Sequence, residues 1–153
     1  MKVLIIGGGA SGMMAALVAA QDANNRVTLL ERQARVGRKL LASGNGRCNL
    51  SNLAADETHY YGAAAFVKPA LARFPVQKTL DFFHALGLLT TAQADGRVYP
   101  LSDQANSVVD VLRFALAARG VDVQCGCEVR AVRKRRAAGR RNAPTGGRFS
   151  ATG

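Results

Sequence analysis

The glycine-rich stretch Lys2–Gly12, with the sequence KVLIIGGGASG, constrains the fold of this chain more than any other segment. It contains four consecutive branched apolar residues that stop at three glycines. A short apolar run with β-branched members predicts a buried strand, and the glycines predict a tight turn after it. Residues 11–23 contain no proline and many good helix formers, which predicts a helix beginning near Ser11.

Three of the glycines fill the pattern GxGxxG, at Gly7, Gly9 and Gly12. Between a strand and a helix, the first glycine permits the turn, and the second lets a pyrophosphate approach the backbone. The third lets the helix pack closely on the strand. The N-terminus of the predicted helix then presents free N–H groups and the positive end of the helix dipole to phosphates. The stretch therefore predicts a dinucleotide site.

An acidic residue completes this pattern. Residues 26–30 (RVTLL) predict a second strand, and Glu31 follows it, 19 residues beyond Gly12. A carboxylate at about that distance accepts hydrogen bonds from an adenosine ribose, and its charge would repel a 2′-phosphate there. We therefore predict a Rossmann-like α/β domain with a parallel sheet that binds a dinucleotide.

The basic residues are unevenly distributed. The chain of 153 residues carries a formal charge of +11, and eight of its 21 Lys and Arg residues fall in 130–153, which has no acidic residue. The first 129 residues carry a net charge of only +3, and a 48% apolar content suits one globular domain. The C-terminal residues also lack helical or strand periodicity. We therefore predict an N-terminal domain at 1–132 and a basic low-complexity tail at 133–153, disordered or aberrant in origin.

Short helices and strands are predicted between the second strand and the tail. Pro75 suits the first position of its helix. Ser102 or Asp103 is expected to cap the last helix, and Gly120 to end it. The other predicted segments are helices at 63–74 and 76–86 and strands at 96–100, 121–125 and 128–132.

The three cysteines are an odd number and give no disulfide framework, as in a reducing cytosol. Cys125 and Cys127 are two residues apart, so on a strand they share a face, and we interpret them as small buried hydrophobes. A single CxC lacks the second ligand pair of a metal site, so no metal is predicted. The uncharged run Val3–Gln21 is interrupted by the glycines of the dinucleotide turn. We therefore predict a soluble cytoplasmic protein with no membrane partner.

Residues 32–52 (RQARVGRKLLASGNGRCNLSN) form the second informative stretch. They are dense in Arg, Lys, Gly, Ser and Asn, which suits a loop that presents amides and cations to an anion or a polar ring. Arg38 and Lys39 are candidates to approach a pyrophosphate, and Ser43–Asn49 offers flexible backbone and many donors. A solvated basic loop without a ligand explains the same composition equally well.

Beyond these patterns, the chain resembles a bacterial family of FAD-dependent oxidoreductases. The resemblance lies in GGGASG, in Glu31 with Arg32, in VGRKLLASGNGRCNLSN at 36–52 and in DGRVYPLSDQANSVVDVL at 95–112. The family comprises NAD(P)/FAD-dependent or aminoacetone-oxidase-like flavoproteins with a glutathione-reductase-like FAD domain, and some members act in bile-acid reduction. The similarity extends over about residues 1–132.

This resemblance implies that the first GxGxxG and Glu31 hold the ADP half of FAD, and that Ser43–Asn49 lies beside the flavin. A donor or cation near N1 and O2 of the isoalloxazine would stabilise the reduced, anionic flavin, and Arg47 with the amides around Asn45 is the candidate. The backbone at Val129 would touch the adenine. The FAD-binding residues implied in this way are Gly7, Gly9, Ala10, Ser11, Gly12, Glu31, Arg32, Arg38, Lys39, Ser43, Gly44, Asn45, Gly46, Arg47, Cys48, Asn49 and Val129.

The function implied is that of an FAD-binding oxidoreductase, in which hydride passes through flavin N5 to or from a small-molecule substrate. No second GxGxxG appears, so NAD(P)H would act as a transient donor without its own nucleotide-binding module. Members of the family are much longer, and their substrate domain begins near the position of Arg133. By this resemblance the chain corresponds to the N-terminal part of a family member, with an incomplete sheet. Our hypothesis for the basic tail is that the gene is truncated or frameshifted. No catalytic acid or base is identified.

Two other functions fit parts of the sequence. An NAD-binding dehydrogenase domain would use Glu31 equally well, although it has no need of Ser43–Asn49. A basic tail would attract nucleic acid electrostatically, but residues 130–148 have no interleaved aromatic residues for stacking. No specific nucleic-acid partner is therefore predicted, and the oligomeric state stays open.

Overall fold

A computed structural model of the chain describes residues 1–133. These residues belong to two compact units, one made of Met1–Val36 with the described part of Leu116–Gly153, and one made of Gly37–Ala115. The predicted basic tail lies outside the described residues apart from Arg133. In chain order, the helices and strands are β1 (Lys2–Ile6), α1 (Ala10–Ala19), β2 (Arg26–Glu31), α2 (Arg38–Ala42), β3 (Ser51–Asn52), α3 (Lys68–Arg73), α4 (Val76–Ala85), β4 (Thr90–Ala92), β5 (Arg97–Pro100), α5 (Ala105–Ala118) and β6 (Asp122–Cys125).

The first unit is built on a parallel sheet with the strand order β1-β2-β6. Lys2 pairs with Arg26 at the start of β1, and Glu31 pairs with Cys125 at the end of β6. The helix α1 crosses from β1 to β2 and buries Met13 and Leu17 completely. Fully burying an apolar side chain of this size contributes about 1.5–3 kcal/mol. The predicted Rossmann-like α/β fold with a parallel sheet is confirmed.

The element boundaries in this unit follow the sequence closely, with one exception. α1 begins one residue before the predicted Ser11, and β2 runs one residue further than predicted, to Glu31. Gly120 follows the last helix with φ +65°, as predicted. The predicted strand at 128–132 is wrong, because no strand follows β6 among the described residues. Gly126, at φ +75°, turns the chain away at that point.

The second unit contains an antiparallel sheet with the order β3-β5-β4. Ser51 pairs with Val98, and Thr91 pairs with Tyr99. Val98 and Tyr99 are buried together with the apolar face of α5, at Val108 and other positions. The sequence predicted β5 but neither of its partner strands.

Several local predictions in the second unit need correction. The predicted helix at 63–74 is a 3-10 turn followed by α3, and Pro75 precedes α4 as its N-cap instead of occupying its first turn. The predicted loop at 32–52 contains the short helix α2. α5 begins at Ala105, two residues after Asp103, which has a left-handed φ of 57°. Ser102 Oγ accepts a hydrogen bond from the Gln104 N–H at 3.4 Å, just before the helix. Among the helices of residues 1–133, none combines the length and apolar character needed to cross a bilayer.

Candidate cofactor site

The glycine turn between β1 and α1 is closely packed on one side. Gly7 has φ +100°, and its N–H donates to the Leu30 carbonyl oxygen at 2.7 Å. Gly12 is buried, and a Cβ atom at that position would overlap the Gly7 carbonyl oxygen. The turn therefore accepts only glycine at both positions without rearrangement.

The other side of the turn is open. A Cβ atom on Gly9 would meet nothing within 4 Å, and Gly9 caps α1 without a side-chain hydrogen bond. The first turn of α1 holds no acidic residue, and Ala10 and Ser11 are exposed. The first N–H groups of an α-helix have no carbonyl partner within the helix, so this end of α1 offers donors and a positive dipole end to an anion. The open space, the donors and the dipole all fit a pyrophosphate.

Glu31, the last residue of β2, is hydrogen-bonded to this glycine turn. Its Oε2 accepts a hydrogen bond from the Gly8 N–H at 2.6 Å, and its Oε1 accepts one from the Gln33 N–H at 2.8 Å. A carboxylate offers about four lone-pair positions, so these two bonds leave roughly two for ribose hydroxyl groups. The carboxylate is thus oriented before any ligand arrives.

The sequence did not single out Gly8, which holds this carboxylate in place. A Cβ atom on Gly8 would lie 2.6 Å from Cγ1 of Val36 and 3.0 Å from Cβ of Glu31. The sequence did contain a signal for Gly8. It is the middle residue of three consecutive glycines, and the GxGxxG pattern explains only the first and third of them. The sequence did not indicate Gln33 either, because Gln33 binds the Glu31 carboxylate through its backbone N–H and any residue type could do so.

The remaining predicted residues of the first unit are Arg32 and Val129. Arg32 follows Glu31 directly and is exposed. Val129 is half-buried beyond the end of β6. Their roles in binding a cofactor stay predictions.

In the second unit, the predicted flavin-side residues form a compact loop on Tyr99. Arg38 and Lys39 are exposed at the start of α2, and Ser43–Gly46 forms a 3-10 turn after it. A Cβ atom on Gly44 would lie 3.2 Å from Cε1 of Tyr99, so the loop backbone rests against the ring. Their placement beside a flavin stays a prediction.

Arg47 contacts two side chains outside this loop. Its guanidinium carbon lies 4.2 Å from the centre of the Tyr99 ring, and its Nη1 lies 3.6 Å from Oδ1 of Asp103. Asn45, two residues before Arg47, and Cys48, directly after it, have left-handed φ values of 56° and 60°. Non-glycine residues rarely adopt such values, so the surrounding contacts stabilise a strained loop.

The cysteines differ from the prediction. Cys48 is buried, and this burial raises the pKa of its thiol, with a hydrogen bond from Ser43 opposing the shift. Cys125 is exposed and Cys127 is half-buried, so the interpretation of both as buried hydrophobes is wrong. The two do not share a strand face, because β6 ends at Cys125. Residues 1–133 contain no cluster of three or more His, Cys, Asp or Glu side chains arranged to hold a metal ion.

A parallel strand–helix–strand unit, a glycine turn with an open helix N-terminus and an acidic residue ending the second strand together define a Rossmann-like dinucleotide-binding domain. The profile of the family described as "HI0933-like protein Rossmann domain" matches residues 1–151. The chain belongs to this family of FAD-binding oxidoreductases.

Known relatives of the chain are enzymes. It is 43% identical over 134 residues to the 3-dehydro-bile acid delta(4,6)-reductase of Clostridium scindens, covering 86% of this chain and 32% of the relative. It is 37% identical over 110 residues to the ribosomal RNA dihydrouridine synthase of Escherichia coli, covering 71% of this chain and 27% of the relative. The chain therefore spans about a third of the length of these relatives.

A solved structure supports the fold independently. The crystal structure of THI4 from Thermovibrio ammonificans superposes with a TM-score of 0.60 at 16% identity, covering 98% of this chain and 45% of that chain. At such low identity the similarity extends to the fold alone.

Proposed function

We propose that this chain is the FAD-binding N-terminal part of an oxidoreductase that reduces a carbon–carbon double bond conjugated to a carbonyl group. The observation that carries the dinucleotide site is the Glu31 carboxylate, fixed by Gly8 and Gln33 beside an open helix N-terminus. The match to the HI0933-like Rossmann family favours FAD over NAD as that dinucleotide. When bound, FAD supplies hydride transfer at flavin N5. NAD(P)H serves as a transient donor in this proposal.

The chain's own residues bind and orient the ADP half of the cofactor. Glu31 accepts hydrogen bonds from the ribose hydroxyls through its remaining lone pairs. The backbone at Gly9 and the first N–H groups of α1 hold the pyrophosphate. The assignment of Arg47 and the Ser43–Asn49 loop to the flavin rests on the family resemblance, and it is part of the proposal.

The substrate class comes from chemistry common to the names of two relatives. A 3-dehydro-bile acid with delta(4,6) unsaturation has double bonds conjugated to a ketone, and the Clostridium scindens relative is a reductase of this group. Dihydrouridine is uridine with its ring double bond saturated, and that double bond is conjugated to a carbonyl. Conjugation makes the distal carbon electrophilic, so each reaction consists of hydride addition there with a proton added at the neighbouring carbon.

FAD binding is tested by a titration of the purified chain, followed by flavin fluorescence. We expect saturable binding of FAD, which NAD⁺ displaces only in large excess. We expect at least tenfold weaker FAD binding for Gly9→Ala, whose Cβ atom enters the open side of the turn. Val18→Ala, an exposed position on the same helix, is the matched control and keeps full affinity. Equal affinities for FAD in Gly9→Ala and in the unmodified chain would contradict a pyrophosphate at this turn.

The substrate class is tested without a nicotinamide donor. The chain with bound FAD is reduced chemically without oxygen and mixed with a steroid 3-ketone carrying a 4,5 double bond. We expect the flavin absorbance to return faster than with free reduced FAD, and the saturated ketone to form in equal amount. Reoxidation no faster than that of free FAD would contradict the proposed reaction for this chain.

A further inference from the structure

The segment Cys125-Gly126-Cys127 holds two cysteines two residues apart at the end of β6. Cys125 is exposed and Cys127 is half-buried. Gly126 between them has φ +75°, so the chain bends there instead of continuing as a strand. Nothing in the proposed cofactor chemistry uses either thiol.

The covalent geometry allows these two thiols to join. Two consecutive Cα steps of 3.8 Å reach about 7 Å at full extension, which is the outer limit for a disulfide. A disulfide therefore needs a tight bend at Gly126, which glycine permits because it has no Cβ atom. Exposed or strained disulfides of this kind are reduced more readily than buried structural ones.

The same segment is hydrogen-bonded to the backbone around Glu31. The Cys127 N–H donates to the Glu31 carbonyl oxygen at 2.9 Å, and the Gly126 N–H donates to the Gln33 carbonyl oxygen at 3.0 Å. The Gln33 N–H in turn donates to the Glu31 carboxylate. A change in the backbone of the cysteine segment therefore reaches the carboxylate through two hydrogen bonds.

We propose that Cys125 and Cys127 form a reversible intramolecular disulfide by exchange with a small disulfide such as oxidised glutathione. The thiolate of the more exposed Cys125 attacks one sulfur of the oxidant, which displaces one glutathione thiolate and leaves a mixed disulfide. The Cys127 thiolate then attacks the Cys125 sulfur and displaces the second glutathione thiolate. The two protein thiols lose two electrons and two protons, and the oxidant becomes two thiols.

Closing the ring tightens the bend at Gly126 and competes with the hydrogen bonds to Glu31 and Gln33. Losing the equivalent of one net hydrogen bond at the carboxylate weakens FAD binding roughly fivefold. This second part of the inference rests on the proposed FAD function, whereas formation of the disulfide does not.

The disulfide is tested by counting thiols. The reduced chain is incubated with oxidised glutathione, and its free thiols are titrated in denaturant with Ellman's reagent. We expect the number to fall from three to one, with Cys48 protected by its burial, and peptide mass mapping to find a link between Cys125 and Cys127. Cys125→Ser and Cys127→Ser should each retain a glutathione adduct, whereas Cys48→Ser should still form the ring. Three remaining thiols, a stable glutathione adduct on the unmodified chain or a disulfide between two chains would each overturn the proposal.

The link to the cofactor is tested on the same samples. FAD affinity should fall on oxidation of the unmodified chain, return with dithiothreitol and stay constant in Cys127→Ser. An affinity that is unchanged when the ring has formed would overturn the coupling. If the reduced chain binds no FAD, the proposed function fails, while the thiol count still decides whether the disulfide forms.

Discussion

Replacing Gly12 with alanine should destabilise the first unit strongly. Helix propensity alone favours alanine by about 1 kcal/mol at this position in α1. The added Cβ atom would overlap the Gly7 carbonyl oxygen, and a backbone atom in a tight turn has little freedom to move. Overpacking against such an atom costs about 3 kcal/mol or more. The net loss of about 2 kcal/mol or more should lower the midpoint of thermal unfolding by roughly 5–10 °C.

Gly9→Ala is the matched control for this prediction. Gly9 lies in the same turn, but its φ of −78° and ψ of −172° suit any residue, and its Cβ atom would meet nothing within 4 Å. We expect a change of less than about 1 kcal/mol in the free energy of unfolding, since only the N-cap preference is lost. Equal unfolding midpoints for Gly12→Ala and Gly9→Ala in circular dichroism would show that helix and strand are not in close contact at Gly12.

The strand–turn–helix–strand of the first unit could be predicted because its signals are local. Each signal occupies only a few residues: the apolar run of β1, the glycines of the turn and the acidic residue that ends β2. Their spacing fixes their relation in three dimensions, since α1 must return the chain to a parallel strand beside β1. The position of Glu31 at the glycine turn followed from the same spacing, and its hydrogen bond to Gly8 agrees with it.

The antiparallel sheet of the second unit gave no comparable signal. β3 has two residues and β4 has three, so neither is long enough to display an alternating pattern. Each becomes a strand only because β5 pairs with it, and Ser51 meets Val98 across more than forty residues of chain. The contact of Arg47 with Tyr99 depends on this pairing, which explains why composition alone left a solvated loop as an equal alternative.

The cysteine prediction failed for a different physical reason. Residues two apart share a face only while the strand continues, and β6 ends at the first cysteine. Gly126 could have signalled the break, since glycine is uncommon inside strands and readily takes positive φ. The exposure of Cys125 depends further on β6 being the outer strand of the described sheet, which no local pattern reveals.

Replacing Glu31 with alanine should have the largest effect on FAD affinity. Two hydrogen bonds from ribose hydroxyls to a carboxylate contribute roughly 1.5 kcal/mol or more each. Their loss corresponds to an increase in Kd of about a hundredfold or more. The measurement is an FAD titration of the unmodified chain and the variant under identical salt conditions. An increase below about threefold would contradict a role for this carboxylate in holding the ribose.

Glu31→Gln separates loss of the ribose contacts from damage to the turn. The amide keeps the side-chain volume and one acceptor oxygen, but its NH2 group must face either the Gly8 or the Gln33 N–H, both of which are donors. We therefore expect an affinity between those of alanine and glutamate, roughly tenfold below the unmodified chain because one charge-assisted bond is weakened. Thermal unfolding of both variants measures the cost of leaving these N–H groups without a carboxylate, about 1–2 kcal/mol. An affinity that falls in proportion to stability alone would mean that Glu31 acts only on the turn. An affinity loss well beyond the stability loss places the ribose at its carboxylate.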